Sequence, residues 1–267
     1  MRTTVGPLAG VAGWPVAHSR SPAMQQAAFD ALGLPWRYGF LPIPPELFTE
    51  TVRALPASGY RGINVTIPHK LAAHELADEH SDAAAAIGAA NTLTFIDTGA
   101  VAADNTDAGG LIDSLPGPVE GLRALVLGAG GAGRAAAWAL REEAAEVSVW
   151  NRTPERARAL AEDLRVRHAA RPRDCDVLVN STSVGLDPRL QESDALAALG
   201  LEGVAAPAVV VDLVYASGET PVQSWGLRAG AEVVDGLEVL VRQGARSFRL
   251  WTGEEPPLEA MRRAARA

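Results

Sequence analysis

Short apolar runs alternate with helix-length segments along most of the chain. From residue 124, Ala-Leu-Val-Leu leads to Leu127, glycines punctuate 128–133, an alanine-rich stretch reaches about Arg141, and 147–150 is apolar again. β-branched runs recur at 177–179, 209–211 and 232–234, each separated by a segment long enough for a helix. Apolar strands alternating with helices predict a parallel sheet covered on both faces, the doubly wound arrangement. The first half alternates too, with extended runs at 7–11, 37–43 and 62–66. There Ser21 is predicted to cap a helix whose first position is Pro22, and further helices are predicted at 45–55 and 68–77. The run 91–96 reads as the last strand of this half. Two helices, 236–251 and 257 to the end, have no further strand to serve and are predicted to pack back on the first domain. The fold class is therefore α/β with two α/β domains: 1–106 plus 240–267, and a doubly wound, Rossmann-type unit at 107–239.

Composition narrows the function classes. At 267 residues and 48% hydrophobic the chain can bury two ordinary cores, and charges interrupt every apolar run before membrane-spanning length. Residues 1–8 lack the basic start and apolar stretch of a secretory signal, and the single cysteine, Cys175, agrees with a reducing cytoplasm and argues against a disulfide framework or structural zinc. No metal site is expected. A net charge of -8, not gathered into a tail, makes neither nucleic acid nor membrane an obvious partner. Of the 24 basic side chains, 23 are arginine and one is lysine, Lys70. A biased genome can replace lysine generally; the survivor marks a position where a compact ammonium able to lose its proton differs from a guanidinium that never does.

Gly128, Gly130 and Gly133 form Gly-x-Gly-x-x-Gly after a predicted strand and at the start of a predicted helix. In that context the first glycine permits the tight turn, the second lets a pyrophosphate approach the backbone, and the third lets helix and strand pack closely. With Ala129, Gly131 and Ala132 this turn is the candidate dinucleotide cradle, at a positive helix end. About twenty residues on, where an acid would hold the ribose hydroxyls of NAD, the chain has Asn151-Arg152-Thr153 and then Arg156. Thr153 is the predicted N-cap and Pro154 the first helical residue. Two guanidiniums at a helix start suit a ribose 2′-phosphate, so NADP is the expected cofactor.

Four polar clusters of the first half lie at predicted element ends: His18-Ser19-Arg20-Ser21-Pro22, Asn64-Val65-Thr66 with Pro68 and Lys70, Ala90-Asn91-Thr92, and Asp104-Asn105-Thr106-Asp107. Each has a local alternative, since Ser21 and Asp107 read equally as helix caps and Asn64 as a strand-end turn. Together with Asn180-Ser181-Thr182-Ser183-Val184-Gly185, Asp212 with Tyr215, and Gly236 followed by Gln243, they resemble the shikimate dehydrogenase family along nearly the whole chain and in order. The matched patterns are Ser-x-Ser-Pro at Ser19 and Ser21, Gly-x-Asn-Val-Thr-x-Pro-x-Lys from Gly62 to Lys70, and Asn-Thr-Asp at 105–107.

The resemblance implies reversible NADP-dependent reduction of 3-dehydroshikimate to shikimate. Ser19, Ser21 and Tyr215 would hold the substrate carboxylate, and Asn64, Thr66, Asn91, Asp107 and Gln243 the ring hydroxyls. Lys70 and Asp107 would be the catalytic pair, and Asp82, Thr182, Leu213 and Gly236 would approach the cofactor. Lys70 would donate a proton in the reducing direction, or steady alkoxide charge, because a neighbouring carboxylate favours its charged form. Two departures stand out: Glu238-Val239 replaces the family's Gly-Met, and Ala103 replaces a common glycine. Quinate or an amino analogue is an alternative substrate, which Glu238 would suit by meeting an amine. A folate-linked dehydrogenase and a non-catalytic NADP sensor are more distant alternatives. A homodimer is left open.

Overall fold

The structure is a computed structural model that describes residues 6–216 and 218–267. Residues 1–5, part of the stretch read for a targeting signal, lie outside the described residues. The chain divides into two compact units, 1–110 with 240–267, and 111–239.

In the first unit, β1 (Leu8–Gly13), α1 (Ser21–Ala31) and β2 (Arg37–Pro42) lead through a short 3-10 turn to α2 (Phe48–Ala54). A second such turn precedes β3 (Tyr60–Val65), α3 (Lys70–Leu76), β4 (Glu79–His80), α4 (Asp82–Ile87), β5 (Thr92–Phe95), β6 (Val101–Asp104) and α5 (Thr106–Ser114). The six strands form one sheet in the order β2-β1-β3-β5-β6-β4. Pairing of β1 with β2 and β3 is parallel, whereas β5 is antiparallel to both β3 and β6. The run 91–96 is thus not the last strand. It forms the first arm of a hairpin whose turn carries Gly99 at φ 90°, a left-handed conformation that glycine adopts freely. The pair β5–β6 brings Asn91, Thr92 and Asp104 to one end of the sheet.

Apolar side chains cover both faces. Phe48, Val52, Ile63, Val65, Leu93 and Phe95 cluster under α2 and α3, and Met24, Phe29, Trp36, Phe248 and Met261 form the second cluster. The second joins α1 to the carboxyl-terminal segment: Phe29 stacks on Trp36 at 5.3 Å between ring centroids and lies 5.2 Å from Phe248. Ser21 is the first residue of α1 rather than its cap; Arg20 holds the N-cap position and makes no side-chain cap.

In the second unit, β7 (Arg123–Leu127), α6 (Gly131–Glu142), β8 (Glu146–Trp150), α7 (Pro154–Asp163) and β9 (Arg167–His168) form one half. The other half comprises β10 (Val177–Asn180), α8 (Glu192–Ala198), β11 (Val209–Asp212), α9 (Pro221–Arg228) and β12 (Glu232–Val234). Every pair in the sheet is parallel, and the order is β12-β11-β10-β7-β8-β9. From β7 the chain winds first to β8 and β9, then returns to β10 on the other side, so the direction reverses between β7 and β10. Ligands of doubly wound folds bind beyond the carboxyl ends of the strands at such a switch point. Central strands are buried on both faces: all of β10 and all of β7 except Arg123.

The final helices, α10 (Gly236–Thr252) and α11 (Leu258–Arg266), finish the chain. Both the α5 and α10 helices run from one unit into the other. Where α5 and α10 cross, a Cβ on Gly110 would meet the Gln243 backbone nitrogen at 2.6 Å, so only glycine admits this approach. The crossing seats Gln243 against the start of α5.

Candidate active site

Lys70 opens α3, one residue past a buried His69 whose Nε2 lies 2.8 Å from the Ile43 carbonyl and whose ring stacks on Phe48. Burial holds the His69 imidazole below its ordinary pKa, so it stays neutral and serves as an anchor. Fixed in this way, Lys70 reaches Asp107 in the first turn of α5, and its Nζ donates to Oδ2 at 2.5 Å. The lysine and aspartate side chains are 14% and 21% exposed, so the pair is screened from bulk water yet open to a ligand. An ammonium carries three N–H bonds, and the other two on Lys70 meet no described residue.

Asp107 is itself held. Its Oδ1 accepts from Asn91 Nδ2 at 2.8 Å, and the same Nδ2 lies 3.1 Å from Gln243 Oε1. Asn91 Oδ1 accepts the Thr106 backbone N–H at 2.7 Å, which ties the start of α5 to β5. Behind these lies a buried hydroxyl cluster. Ser247 Oγ is 2.9 Å from Thr92 Oγ1 and 3.1 Å from Thr106 Oγ1, and it accepts from Asn64 Nδ2 at 2.8 Å. Tyr38 closes the set by donating its hydroxyl to Asn64 Oδ1 at 2.8 Å, and burial drives its pKa well above the ordinary value. Buried polar groups satisfied this completely act as a rigid frame.

Lys70, Asp107, Asn91 and Gln243 therefore form one connected constellation, and Asn64 joins it through Ser247 and Thr92. Gln243 Nε2 donates to the Leu240 carbonyl at 2.9 Å. Ser19 and Ser21 meet each other, with Ser21 N–H donating to Ser19 Oγ at 3.2 Å. The hydroxyls of Ser21 and Thr66 make no hydrogen bond to another described residue, which leaves both free to donate. Asp82 is exposed at the first position of α4, one residue after the Ser81 cap. Tyr38 and Ser247 are members of the network that motif reading did not single out, whereas Thr92 and Thr106 stand in the polar clusters already named.

In the second unit the residues present fit a dinucleotide. Gly128 has φ 107°, and a Cβ on Gly133 would stand 2.2 Å from the Gly128 carbonyl oxygen, so strand and helix meet as closely as the motif requires. A Cβ on Gly130 would meet nothing within 4 Å. Together with Ala129, Gly131 and Ala132, it lines open space over the α6 N-terminus, which has no side-chain cap. Such an uncapped end attracts a phosphate. Asn151 Nδ2 donates to the Thr153 carbonyl at 2.9 Å; Thr153 stands at the N-cap of α7 but makes no side-chain cap. Arg152 and Arg156 are exposed there, and neither pairs with an acid among the described residues. Thr182 Oγ1 donates to Asn180 Oδ1 at 2.7 Å, and Leu213 N–H to the Asn180 carbonyl at 2.9 Å. Gly236 is glycine because a Cβ would lie 2.7 Å from the Leu213 carbonyl oxygen. Tyr215 is half-buried on the same loop as Leu213.

Elsewhere, a hollow of about 220 Å³ lined by Leu115, Pro118, Val119, Leu122, Val177 and Val209 lies at the opposite, amino-terminal end of this sheet. It is mainly apolar and lacks the chemistry gathered at the carboxyl ends.

Three family models match the chain: shikimate dehydrogenase substrate binding domain at 11–93, shikimate/quinate 5-dehydrogenase at 111–213, and shikimate 5′-dehydrogenase C-terminal domain at 236–266. The NADP(+) shikimate dehydrogenase of Methanothermobacter thermautotrophicus is 42% identical over 94% of this chain and 93% of its own length. The chain belongs to the shikimate dehydrogenase family. Among solved members, the shikimate 5-dehydrogenase of Thermus thermophilus, in complex with NADP(H) and shikimate, superposes with a TM-score of 0.86. It is 41% identical, and the match covers 97% of this chain and 98% of that one. The Aquifex aeolicus shikimate dehydrogenase reaches a TM-score of 0.89 at 35% identity, with each chain covered in full. Among the described residues no helix is long and apolar enough to cross a membrane.

Proposed function

We propose that this chain catalyses the reversible, NADP-dependent interconversion of 3-dehydroshikimate and shikimate, with the substrate on the first unit and the dinucleotide on the second. The observation that carries the reading is the half-buried Lys70–Asp107 pair at 2.5 Å, held by Asn91, with two lysine N–H bonds that meet no described residue. NADP, when bound, supplies or accepts the hydride. Lys70 donates a hydrogen bond to the substrate oxygen and neutralises the charge that grows there, and Asp107 orients the ammonium and accepts from a ring hydroxyl. Asn91 fixes Asp107. The free hydroxyls of Ser21 and Thr66 are further substrate donors, Ser21 with Ser19 for the carboxylate and Thr66 for a ring hydroxyl. Gln243 borders the same ring, and Asn64, whose amide is occupied internally, holds the frame behind it.

On the second unit, residues 128–133 with the α6 N-terminus hold the pyrophosphate, and Arg152 and Arg156 take the 2′-phosphate by charge-assisted hydrogen bonds. Quinate is the nearest alternative substrate. We place the enzyme in the cytoplasm, without nucleic-acid partners, as a monomer or homodimer. The test is NADPH absorbance on mixing pure protein with shikimate and NADP+: NADPH should accumulate until equilibrium. No turnover with shikimate or related polyol acids would abandon the enzyme reading in favour of an NADP-binding sensor.

A further inference from the structure

Asn180 and Asp212 are the last residues of β10 and β11, paired in register at the carboxyl end of the sheet, and both are fully buried. Asn180 Nδ2 donates to Asp212 Oδ1 at 2.8 Å. The pair then reaches into both loops that follow. Asn180 Oδ1 accepts from the backbone N–H and hydroxyl of Thr182, at 3.1 and 2.7 Å, and its carbonyl accepts from Leu213 N–H. Asp212 Oδ1 accepts from Val214 N–H at 3.2 Å, and Oδ2 accepts from the Thr220 hydroxyl. Thr220 in turn is the N-cap of α9, in a reciprocal capping box with Gln223. One amide and one carboxylate thus fix the start of the 181–185 loop, residues 213 and 214 after β11, and the start of α9 at Thr220.

These loops border the glycine turn. A Cβ on Gly128 would meet Ser181 Oγ at 2.6 Å and Thr182 Cγ2 at 3.2 Å, so the loop after β10 packs directly on the turn after β7, across the switch point. A doubly wound fold divides a dinucleotide there, with one mononucleotide on each half of the sheet. The glycine turn and α7 belong to the adenosine side; the loops after β10 and β11 belong to the other. We propose that Asn180 and Asp212 are positioning residues for the nicotinamide half of the dinucleotide, acting through Thr182 and Leu213 without touching the ligand. This inference rests on the reading that the second unit binds NADP. Burying a carboxylate is unfavourable unless its hydrogen bonds are needed, and Asp212 shows that tension: burial pushes it up to about 6 against the pull of its three donors.

The experiment is calorimetric titration of the full chain with NADP+ and, separately, with adenosine 2′,5′-bisphosphate, which carries the adenosine side alone. Asp212→Asn should weaken NADP+ binding by about tenfold, as expected for one charged buried hydrogen bond, and leave the bisphosphate within about twofold. Thr220→Val should reproduce that selective loss, and Thr220→Ser, which keeps the hydroxyl, should restore binding. Equal loss of both ligands, or unchanged NADP+ affinity in both Asp212→Asn and Thr220→Val, overturns the inference. If the unaltered protein binds neither ligand, the NADP reading itself fails and the inference with it.

Discussion

Lys70 is positioned by its neighbours as much as by its own chemistry: His69 is pinned behind it, Asp107 holds one of its N–H bonds, and Asn91 holds Asp107. Removing a group that acts on the proton in the transition state lowers turnover more than ground-state binding. Lys70→Ala should therefore reduce kcat by roughly 10²- to 10⁴-fold with a much smaller rise in the KM for shikimate. A rise in KM alone would make Lys70 a binding residue only. Asp212 offers a second test at this scale. Its folded pKa of about 6 lies above the unfolded value of 3.8, so the stability it contributes is fully present below about pH 3.8 and lost as pH rises through about 6. That gap corresponds to something on the order of 3 kcal/mol. Melting temperatures of the natural protein and Asp212→Asn, compared from about pH 4.5 to 7.5, should show the variant gaining relative stability as pH rises; a pH-independent difference would contradict the shift.

Lys70 was legible in the sequence because it is the only lysine and sits in a dense motif. Tyr38 and Ser247 were not, since two hydroxyls more than two hundred positions apart carry no spacing signal, and only the fold converges them on Asn64. Ser21 misled as a cap because Ser-Pro is a common helix start, whereas here the turn begins at Arg20 and Ser21 faces inward.

Among the elements, the crossing of α5 and α10 links packing to the site. A methyl at Gly110 would press on the Gln243 backbone, which cannot yield as a side-chain end does. Gly110→Ala should destabilise the protein by about 1–3 kcal/mol and lower kcat, because Gln243 borders Asn91. Gly117→Ala, where a Cβ meets nothing within 4 Å, should be near neutral in both thermal melts and activity. At the start of α7, Arg152→Ala and Arg156→Ala should each cut kcat/KM with NADP+ by roughly tenfold and leave NAD+ little changed. An unchanged preference would remove the 2′-phosphate role. The long strands and helices were legible from their periodicity. The strands β4 and β9 have two residues each and exist only because a longer neighbour pairs with them; β6 was obscured by the turn at Gly99. The first half alternates as the second does, yet β5 is antiparallel to β3 and β6, so its sheet is mixed.

Across the whole molecule, each unit has its own sheet and its own cores, and the chain passes between units within α5 and α10. Division of labour follows from what each unit carries: hydroxyls, amides and one ammonium–carboxylate pair on the first, and a glycine turn with the exposed Arg152 and Arg156 on the second. Neither half suffices for a dehydrogenase. The Glu238-Val239 departure lies at the start of α10, where Val239 is buried in the core of the second unit, and substrate choice is where it would register. The most direct test is a four-way comparison of steady-state rates, shikimate and quinate each with NADP+ and NAD+. Shikimate with NADP+ should give the highest kcat/KM, by about tenfold or more over each other pairing. Preference for quinate, or equal rates with NAD+, would contradict the account.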